Sequence, residues 1–258
     1  MLRLMTETAK LQMKQSFARP MFRFCLIANP FLNTILLYEM FLGAGEEDFF
    51  SYVVLGAGLM GLWSCICFSS AGDINRERYM GTLALVFAAP SSFQAVIYGK
   101  IIGNTLLSLF SFVVSLLTAA LLFRVPVTVH APGFFAVAFL AAVVSFIAIS
   151  SVIACLLTLS RKTELYMNLL ELPLALLCGF VFPVEMLPKP LQLCSALLSP
   201  THAARLLRMS VTASPDRALF LRELAVLCVL TLLYLSGAVL LYKRIDKRVR
   251  IRATLDVA

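Results

Sequence analysis

The stretch Ile101–Phe123 reads IIGNTLLSLFSFVVSLLTAALLF and contains no charged residue. As an α-helix it would be about 34 Å long, because each residue adds about 1.5 Å along the axis. The hydrocarbon core of a bilayer is about 30 Å thick, and about 20 consecutive apolar residues are needed to cross it. The stretch therefore predicts a transmembrane helix.

The composition of the whole chain agrees with that prediction. Of 258 residues, 60% are hydrophobic and 14% are charged, whereas soluble domains have roughly 45–50% and about 25%. A soluble fold could not bury this much apolar surface. The net charge of +8 does not indicate nucleic-acid binding, because the basic residues flank apolar runs, where they orient spans and contact lipid headgroups. The sequence predicts an integral membrane protein.

Six apolar runs are candidates for spans. They lie at 22–42, 51–70, 101–123, 133–159, 168–182 and 223–242. The fifth is short because Pro183 ends it. We see no internal repeat and expect no soluble domain, so residues 1–258 are predicted to form one all-α membrane domain with six transmembrane helices.

The distribution of Lys and Arg predicts the orientation. Of these 22 residues, 16 fall on one side when the N-terminus is placed inside. Since basic residues are enriched on the cytoplasmic side, both termini and the loop between the second and third spans are expected in the cytoplasm.

Residues 1–20 predict an amphipathic helix lying on the inner leaflet. Apolar residues form one helical stripe and charged residues another, namely Leu2, Met5, Ala9, Met13 and Phe17 against Arg3, Glu7, Lys10 and Lys14. Pro20 separates this helix from the first span. The alternative is a disordered basic tail.

The sequence offers little for catalysis. No G-x-x-x-x-G-K-[ST], H-E-x-x-H or G-x-S-x-G motif is present. GAGLMG at Gly56–Gly61 matches a dinucleotide-binding pattern, but it lies inside a predicted span and favours close helix packing instead. Movement of a substrate is therefore favoured over its conversion.

Asn29 and Asn33 are the polar residues of the first span that share one helix face. They are candidates for lining a transport pathway, because polar groups inside spans are costly. They are equally able to hydrogen-bond to a neighbouring helix. Glu39 is expected near the outer interface and Glu171 near the inner interface.

A charged patch interrupts the apolar runs between the second and third spans. Asp73–Ser91 reads DINRERYMGTLALVFAAPS, and a helix is predicted at 75–88. Met80, Leu83 and Phe87 would share a face of it, which suits docking into a groove of a partner protein. The alternative is a loop resting on lipid headgroups.

The patch also carries a resemblance to a known family. Glu77-Arg78-x-x-Gly81-Thr82-Leu83, followed by Pro90, resembles the E-R/K-x-x-G-T-L…P signature of permease subunits of type-2 ATP-binding-cassette (ABC) transporters. Later residues resemble the family's S-G-x-x-F-P…L-P…P…R pattern; they are Gly179, Pro183, Pro188, Pro200 and Arg205. The chain departs from the family pattern at Ala84, Val86-Phe87 and Cys178.

The resemblance implies that 75–88 is a coupling helix seated in a cleft of an ATPase subunit. The residues that would carry this coupling are Arg76, Glu77, Arg78, Met80, Gly81, Thr82, Leu83, Phe87 and Pro90. Gly81 is expected to permit close backbone approach. The resemblance also implies that 183–220 holds short helices that re-enter the outer leaflet before the sixth span.

The predicted function is that of a permease subunit of an ATP-driven exporter in a bacterial plasma (inner) membrane. The implied partners are two copies of a P-loop ABC ATPase, a second permease chain, identical or related, and membrane lipids. This chain would bind no cofactor, while ATP and Mg would sit on the ATPase. The expected cargo is a lipophilic drug, a lipid or a lipid-linked polysaccharide. The alternatives are a membrane-embedded lipid-modifying enzyme and a non-transporting scaffold.

Overall fold

A computed structural model describes residues 2–42, 50–82, 93–123, 131–158, 163–211 and 216–252. These residues are almost entirely helical and contain no β-strand. In chain order the elements are α1 (Leu2–Phe17), α2 (Pro20–Met40), a π-helix (Phe50–Leu55), α3 (Gly56–Tyr79), α4 (Phe93–Leu122), α5 (Pro132–Thr158), α6 (Thr163–Leu177), a 3-10 turn (Val184–Met186), α7 (Lys189–Leu197), α8 (Ser199–Val211) and α9 (Arg217–Arg252).

The break between α1 and α2 lies where the sequence predicts it. Arg19 is extended, with φ −84° and ψ 126°, and Pro20 opens α2. Proline suits the first helical position, because it has no N–H to leave unpaired and its φ is already helical. The helix predicted at 1–20 is therefore present as α1.

Four helices in the described part of the chain are long and apolar enough to cross a membrane: Pro20–Met40, Ala95–Leu122, Pro132–Leu157 and Arg217–Ile245. They correspond to the first, third, fourth and sixth predicted spans. Two of them are longer than predicted. α4 begins at Phe93 rather than at 101, and α9 covers Arg217–Arg252 rather than 223–242. A transmembrane helix can extend beyond the hydrocarbon core, because the residues that flank the span can continue its backbone hydrogen bonds into the headgroup region.

The second predicted span, 51–70, is changed most by the structure. The π-helix leads directly into α3, which continues to Tyr79. The apolar part, Tyr52–Ile66, is shorter than a typical span, so a second transmembrane passage stays a prediction. Residues 75–79, the first five of the predicted coupling helix, are helical, but they are the last residues of α3 rather than the start of a separate helix. The rest of 75–88 lies largely outside the described residues.

The fifth predicted span, 168–182, also has different bounds. α6 runs from Thr163 to Leu177. It ends because Gly179 adopts φ +71°, with its N–H bonded to the Leu176 carbonyl and the Phe180 N–H bonded to the Ala175 carbonyl. These two bonds form a Schellman cap, which normally needs glycine at the left-handed position. A helix of 15 residues is short for a membrane passage, so this span stays a prediction too.

Two short helices follow α6, as the family resemblance implies for 183–220. Pro188 precedes α7 and Pro200 is the second residue of α8. α8 is almost wholly buried and packs against α5 and α9. Whether these helices re-enter a leaflet stays a prediction.

The core lies around α3, which packs against α2, α4, α5 and α6. Trp63, Phe146 and Phe180 are among its largest fully buried side chains. The ring centroid of Phe146 lies 6.0 Å from that of Trp63 and 6.0 Å from that of Phe180. The packing predicted for the GAGLMG segment is confirmed at Gly61, where a Cβ would meet Ser111 Oγ at 2.5 Å and Pro30 Cβ at 3.1 Å.

Candidate functional site

The residues of the first motif lie at the end of α3 nearest α1, which we call the α1 end of the bundle. Arg76 and Glu77 are on the last turn of α3, and Met80 follows it. Gly81 has φ +67°, so this glycine provides the left-handed turn that ends α3, a role that the sequence analysis did not assign. No described atom lies near the position of a Gly81 Cβ. Leu83, Phe87 and Pro90 lie outside the described residues.

Some of the described residues of the first motif are bonded to the helix bundle, and others are exposed. The Glu77 carboxylate is mostly buried and pairs with Lys100 of α4. The Thr82 hydroxyl donates to the Glu77 carbonyl at 3.3 Å. Tyr79 and Met80, by contrast, are 82% and 62% exposed. The backbone of the motif is thus held to the bundle, while an aromatic ring and a thioether project away from it.

One turn before the motif, Asp73 is the centre of a buried polar cluster. Its carboxylate is 5% exposed and pairs with Arg19. It also accepts hydrogen bonds from the Gln12 amide and, at 2.8 Å, from the Asn104 amide. Ser16 donates to Asn104 at 2.8 Å. We call these five residues the Asp73 cluster; it joins α1, the residue before α2, α3 and α4.

Neither the Asp73 cluster nor the close helix contact that makes it possible is predicted from the sequence. A Cβ at Gly103 would lie 2.6 Å from the Ala9 carbonyl oxygen, and one at Gly99 would lie 2.8 Å from the Met5 carbonyl oxygen. These two glycines therefore let the backbone of α1 lie directly on α4. Their i, i+4 spacing in GKIIG is the small-xxx-small signal for helix packing, and it could have predicted this contact. α1 therefore packs directly against α4, in addition to any contact that it makes with the membrane surface.

A cavity of about 230 Å³ lies beside the Asp73 cluster. All but one of its lining residues are charged or polar, and they come from α1, α3, α4 and the residues next to these helices. The lining residues are Gln12, Gln15, Arg19, Asp73, Arg76, Glu77, Met80, Thr82 and Lys100. Breaking a buried ion pair by removing one partner costs about 3–5 kcal/mol. Because Asp73 and Glu77 are both paired across helices, the motif, α1 and the start of α4 are expected to move as one unit.

The predicted pathway residues lie in a second polar group, halfway along the bundle. Asn29 donates to Ser64 at 3.0 Å, and Asn33 donates to Asn29 at 3.2 Å. Ser64 donates in turn to the Glu171 carboxylate of α6. Asn29 therefore does bond to a neighbouring helix, and both asparagines also line a cavity of about 70 Å³.

Glu171 lies deeper in the bundle than the inner interface that the sequence suggested. It is eight residues from the start of α6 and faces the middle of α3. The Trp63 indole N–H donates to its backbone carbonyl at 3.2 Å. Three helices, α2, α3 and α6, thus contribute polar groups to one cleft, which we call the Glu171 cleft.

The second motif lies at the opposite end of the bundle, around Arg208. Its guanidinium donates to the Phe180 carbonyl at 3.1 Å and sits 4.0 Å from the centre of the Tyr52 ring. Burial lowers the pKa of Arg208 to about 10, so it remains cationic at neutral pH. Arg205, which the resemblance singles out, forms only a 3.5 Å contact with Glu185.

Beside Arg208, His202 ties three helices together. Its Nδ1 is 2.6 Å from Glu223 of α9, and its Nε2 is 3.0 Å from the Ala196 carbonyl of α7. A cavity of about 310 Å³ adjoins these residues. The glycine and prolines of the second motif end or start helices. Arg208 and His202 bind these helices to one another, so we expect this end of the bundle to be rigid.

Within the described ranges, no three His, Cys, Asp or Glu side chains are grouped so that they could hold a metal ion. The polar groups found are instead distributed along the bundle, at both ends and in the Glu171 cleft. They fix helices to one another and leave the exposed motif residues free to contact another protein.

Comparison with known families agrees with this arrangement. The family model described as "ABC-2 type transporter" matches residues 5–211, from α1 to the end of α8. A search of curated proteins found no match. The family match covers most of the chain and includes both motifs. The membrane component of an ABC transporter is a permease, which is not catalytic by itself. The chain therefore belongs to the ABC-2 type transporter family and is a transmembrane permease.

Proposed function

We propose that this permease is one half of the membrane part of an ATP-driven exporter in a bacterial inner membrane. Two copies of a separate P-loop ABC ATPase would bind at the α1 end, and a second permease chain, identical or related, would complete the membrane part. The cargo would be lipophilic: a drug, a lipid or a lipid-linked polysaccharide. The ATPase would hold the ATP and Mg.

The observation that carries the proposal is the position of the first motif. Met80 and Tyr79 are exposed at the end of α3, next to backbone that Gly81 turns sharply. Apolar and aromatic groups of this kind are the usual anchors of a protein interface. A lipid-facing loop would have no need of the Glu77–Lys100 pair behind it. An ATPase that moves the motif does need such a rigid attachment.

Coupling would proceed through the Asp73 cluster. A displacement applied to the motif is passed to α1 and α4, because the paired carboxylates resist separation from their partners. α3 continues from the motif to the centre of the bundle, where its Ser64 contacts α2 and α6. Movement of α3 would therefore change the Glu171 cleft, in which Asn29 and Asn33 are the proposed pathway residues.

The orientation follows from the charges. The α1 end carries Arg3, Lys10, Lys14 and Arg19 within its first twenty residues. Basic residues are retained on the cytoplasmic side during insertion. With the α1 end in the cytoplasm, the motif faces the compartment that supplies ATP, and the α8 end faces outward.

The test is a native co-purification with matched substitutions. The tagged chain is extracted gently as wild type, Leu83→Asp, Met80→Asp and Met186→Asp. Met80 and Met186 are both exposed, at 62% and 74%, but they lie at opposite ends of the bundle. A P-loop ATPase should follow wild type and Met186→Asp, and should be lost from the other two while membrane insertion persists.

Two results would contradict the proposal. If no ATPase accompanies the wild type under conditions that preserve complexes, a lipid-modifying enzyme or a scaffold becomes the better explanation. If Leu83→Asp and Met80→Asp retain the ATPase and full transport, the motif is not the docking surface.

A further inference from the structure

The Glu171 cleft contains a carboxylate that forms no ion pair with any basic side chain that the structure describes. Ser64 donates one hydrogen bond to the carboxylate. No Lys, Arg or His among the described residues forms an ion pair with it. The other acidic side chains packed between the described helices are paired: Asp73 with Arg19, Glu77 with Lys100 and Glu223 with His202.

A carboxylate that packs between helices without a paired cation is expensive, and inside a membrane it marks a functional site by default. Its cost is offset when a cation comes to it. The cleft is polar where the carboxylate lies, and Asn29 and Asn33 add amide groups that accept and donate hydrogen bonds. Nothing else in the described bundle provides negative charge at this depth without a paired cation.

The other groups in the cleft suit an ammonium ion. Trp63 and Met60 line the same cavity as Glu171. The face of an indole attracts cations, and Trp is the best of the aromatic residues in this respect. The volume of about 70 Å³ equals that of roughly two water molecules. This space fits an amine with a short alkyl stem and is too small for a sugar or a phosphate ester.

An apolar body attached to that amine also has a place to lie. Leu172 of α6 lines the same cavity as Glu171 and is 61% exposed, so it offers apolar surface at the edge of the cleft. A cation with an apolar body would bury part of this surface and place its charge against Glu171.

We propose that the Glu171 cleft binds the protonated amine of a lipophilic cation, and that such amphiphilic cations are the cargo class of this permease. The second half of the statement rests on the proposed transport function. The first half concerns this chain alone and is tested without an ATPase.

Trp63 is the single tryptophan of the chain and lines the cleft, so its fluorescence reports binding directly. The purified full-length chain in a nonionic detergent is titrated at neutral pH with dodecylamine and, separately, with dodecanol. The two probes share the same alkyl chain and differ in charge. The variants are Glu171→Gln, which keeps an oxygen for the Ser64 bond, and Glu39→Gln, an exposed control at the far end of α2.

Dodecylamine should change the Trp63 emission saturably in wild type and in Glu39→Gln. In Glu171→Gln its Kd should rise at least tenfold, and dodecanol should bind weakly and equally to all three. Equal Kd values for dodecylamine in wild type and Glu171→Gln would overturn the proposal. Equal binding of dodecanol and dodecylamine to the wild type would also overturn it, because the carboxylate would then not be selecting a charge.

The co-purification separates this proposal from the transport function. If the ATPase binds but the amine titration fails, the permease carries another cargo. If the titration succeeds and no ATPase binds, the cleft is an amine site in a chain with a different role.

Discussion

Adding one methyl group at Gly103 should release α1 from α4. In Gly103→Ala the new Cβ would lie 2.6 Å from the Ala9 carbonyl oxygen and 3.1 Å from the Ala9 Cα. Both are backbone atoms, so the clash cannot be relieved by rotating a side chain. Restoring an ordinary van der Waals distance would move α1 by about 0.8 Å.

The expected change in stability combines two opposing terms. Alanine favours helix over glycine by about 0.8–1 kcal/mol, whereas overpacking costs about 1–3 kcal/mol. The shift of α1 also lengthens hydrogen bonds of the Asp73 cluster, each of which contributes about 0.5–1.5 kcal/mol. We expect a net loss of about 1 kcal/mol. Gly237→Ala is the matched control, because no atom of another described residue lies within 4 Å of a Cβ there and only the helix-propensity term applies.

The two variants are compared by thermal unfolding of the detergent-purified chain and by trypsin cleavage in α1. The gap of about 2 kcal/mol corresponds to roughly 4–8 °C in Tm for a chain of this size, with Gly103→Ala the lower. Cleavage at Lys10 and Lys14 should accelerate in Gly103→Ala alone, since a released helix is accessible to protease. If both variants gain the same stability, or if α1 is cut no faster, α1 is not held by this contact.

Three further substitutions can be measured by the same thermal assay. Asp73→Ala should lower stability by about 3–5 kcal/mol, because it leaves buried partners of the carboxylate unpaired; a loss under 1 kcal/mol would show that the cluster is open to water. His202→Ala removes the bond to Glu223 and should cost about 2–3 kcal/mol, whereas an unchanged Tm would mean that α8 and α9 are held by apolar packing alone. Gly179→Ala should cost about 1–2 kcal/mol, because alanine resists the left-handed backbone and its Cβ would approach Val184 Cγ2 at 2.6 Å; a stability gain would refute the cap assignment.

Much of the fold could be predicted because it is set by local chemistry. The apolar runs predicted α2, α4, α5 and α9, since crossing a membrane requires length and hydropathy that a window of sequence contains. The break before α2 could also be predicted locally, because proline at position 20 cannot continue the helix that precedes it. The ends of α3 and α6 could not be placed correctly, because they depend on the backbone turns at Gly81 and Gly179.

The candidate site was only partly predictable. The E-R-x-x-G-T-L motif is contiguous, so the sequence identified it and assigned it a docking role. The groups that hold it in place are distant in sequence. Gln12 meets Asp73 across 61 residues, and Ser64 meets the Glu171 side chain across 107.

By itself, therefore, the sequence determined that this chain is a helical membrane protein and where its main spans lie, and it predicted which segment would face a partner. Only the tertiary structure decided that α1 packs on α4, that Asp73 forms an ion pair and that Glu171 forms none with the residues described. The physical reason is that periodicity shows which residues share one face of a helix. Which faces meet depends on the packing of several helices at once, and that packing decides whether a buried charge finds a partner.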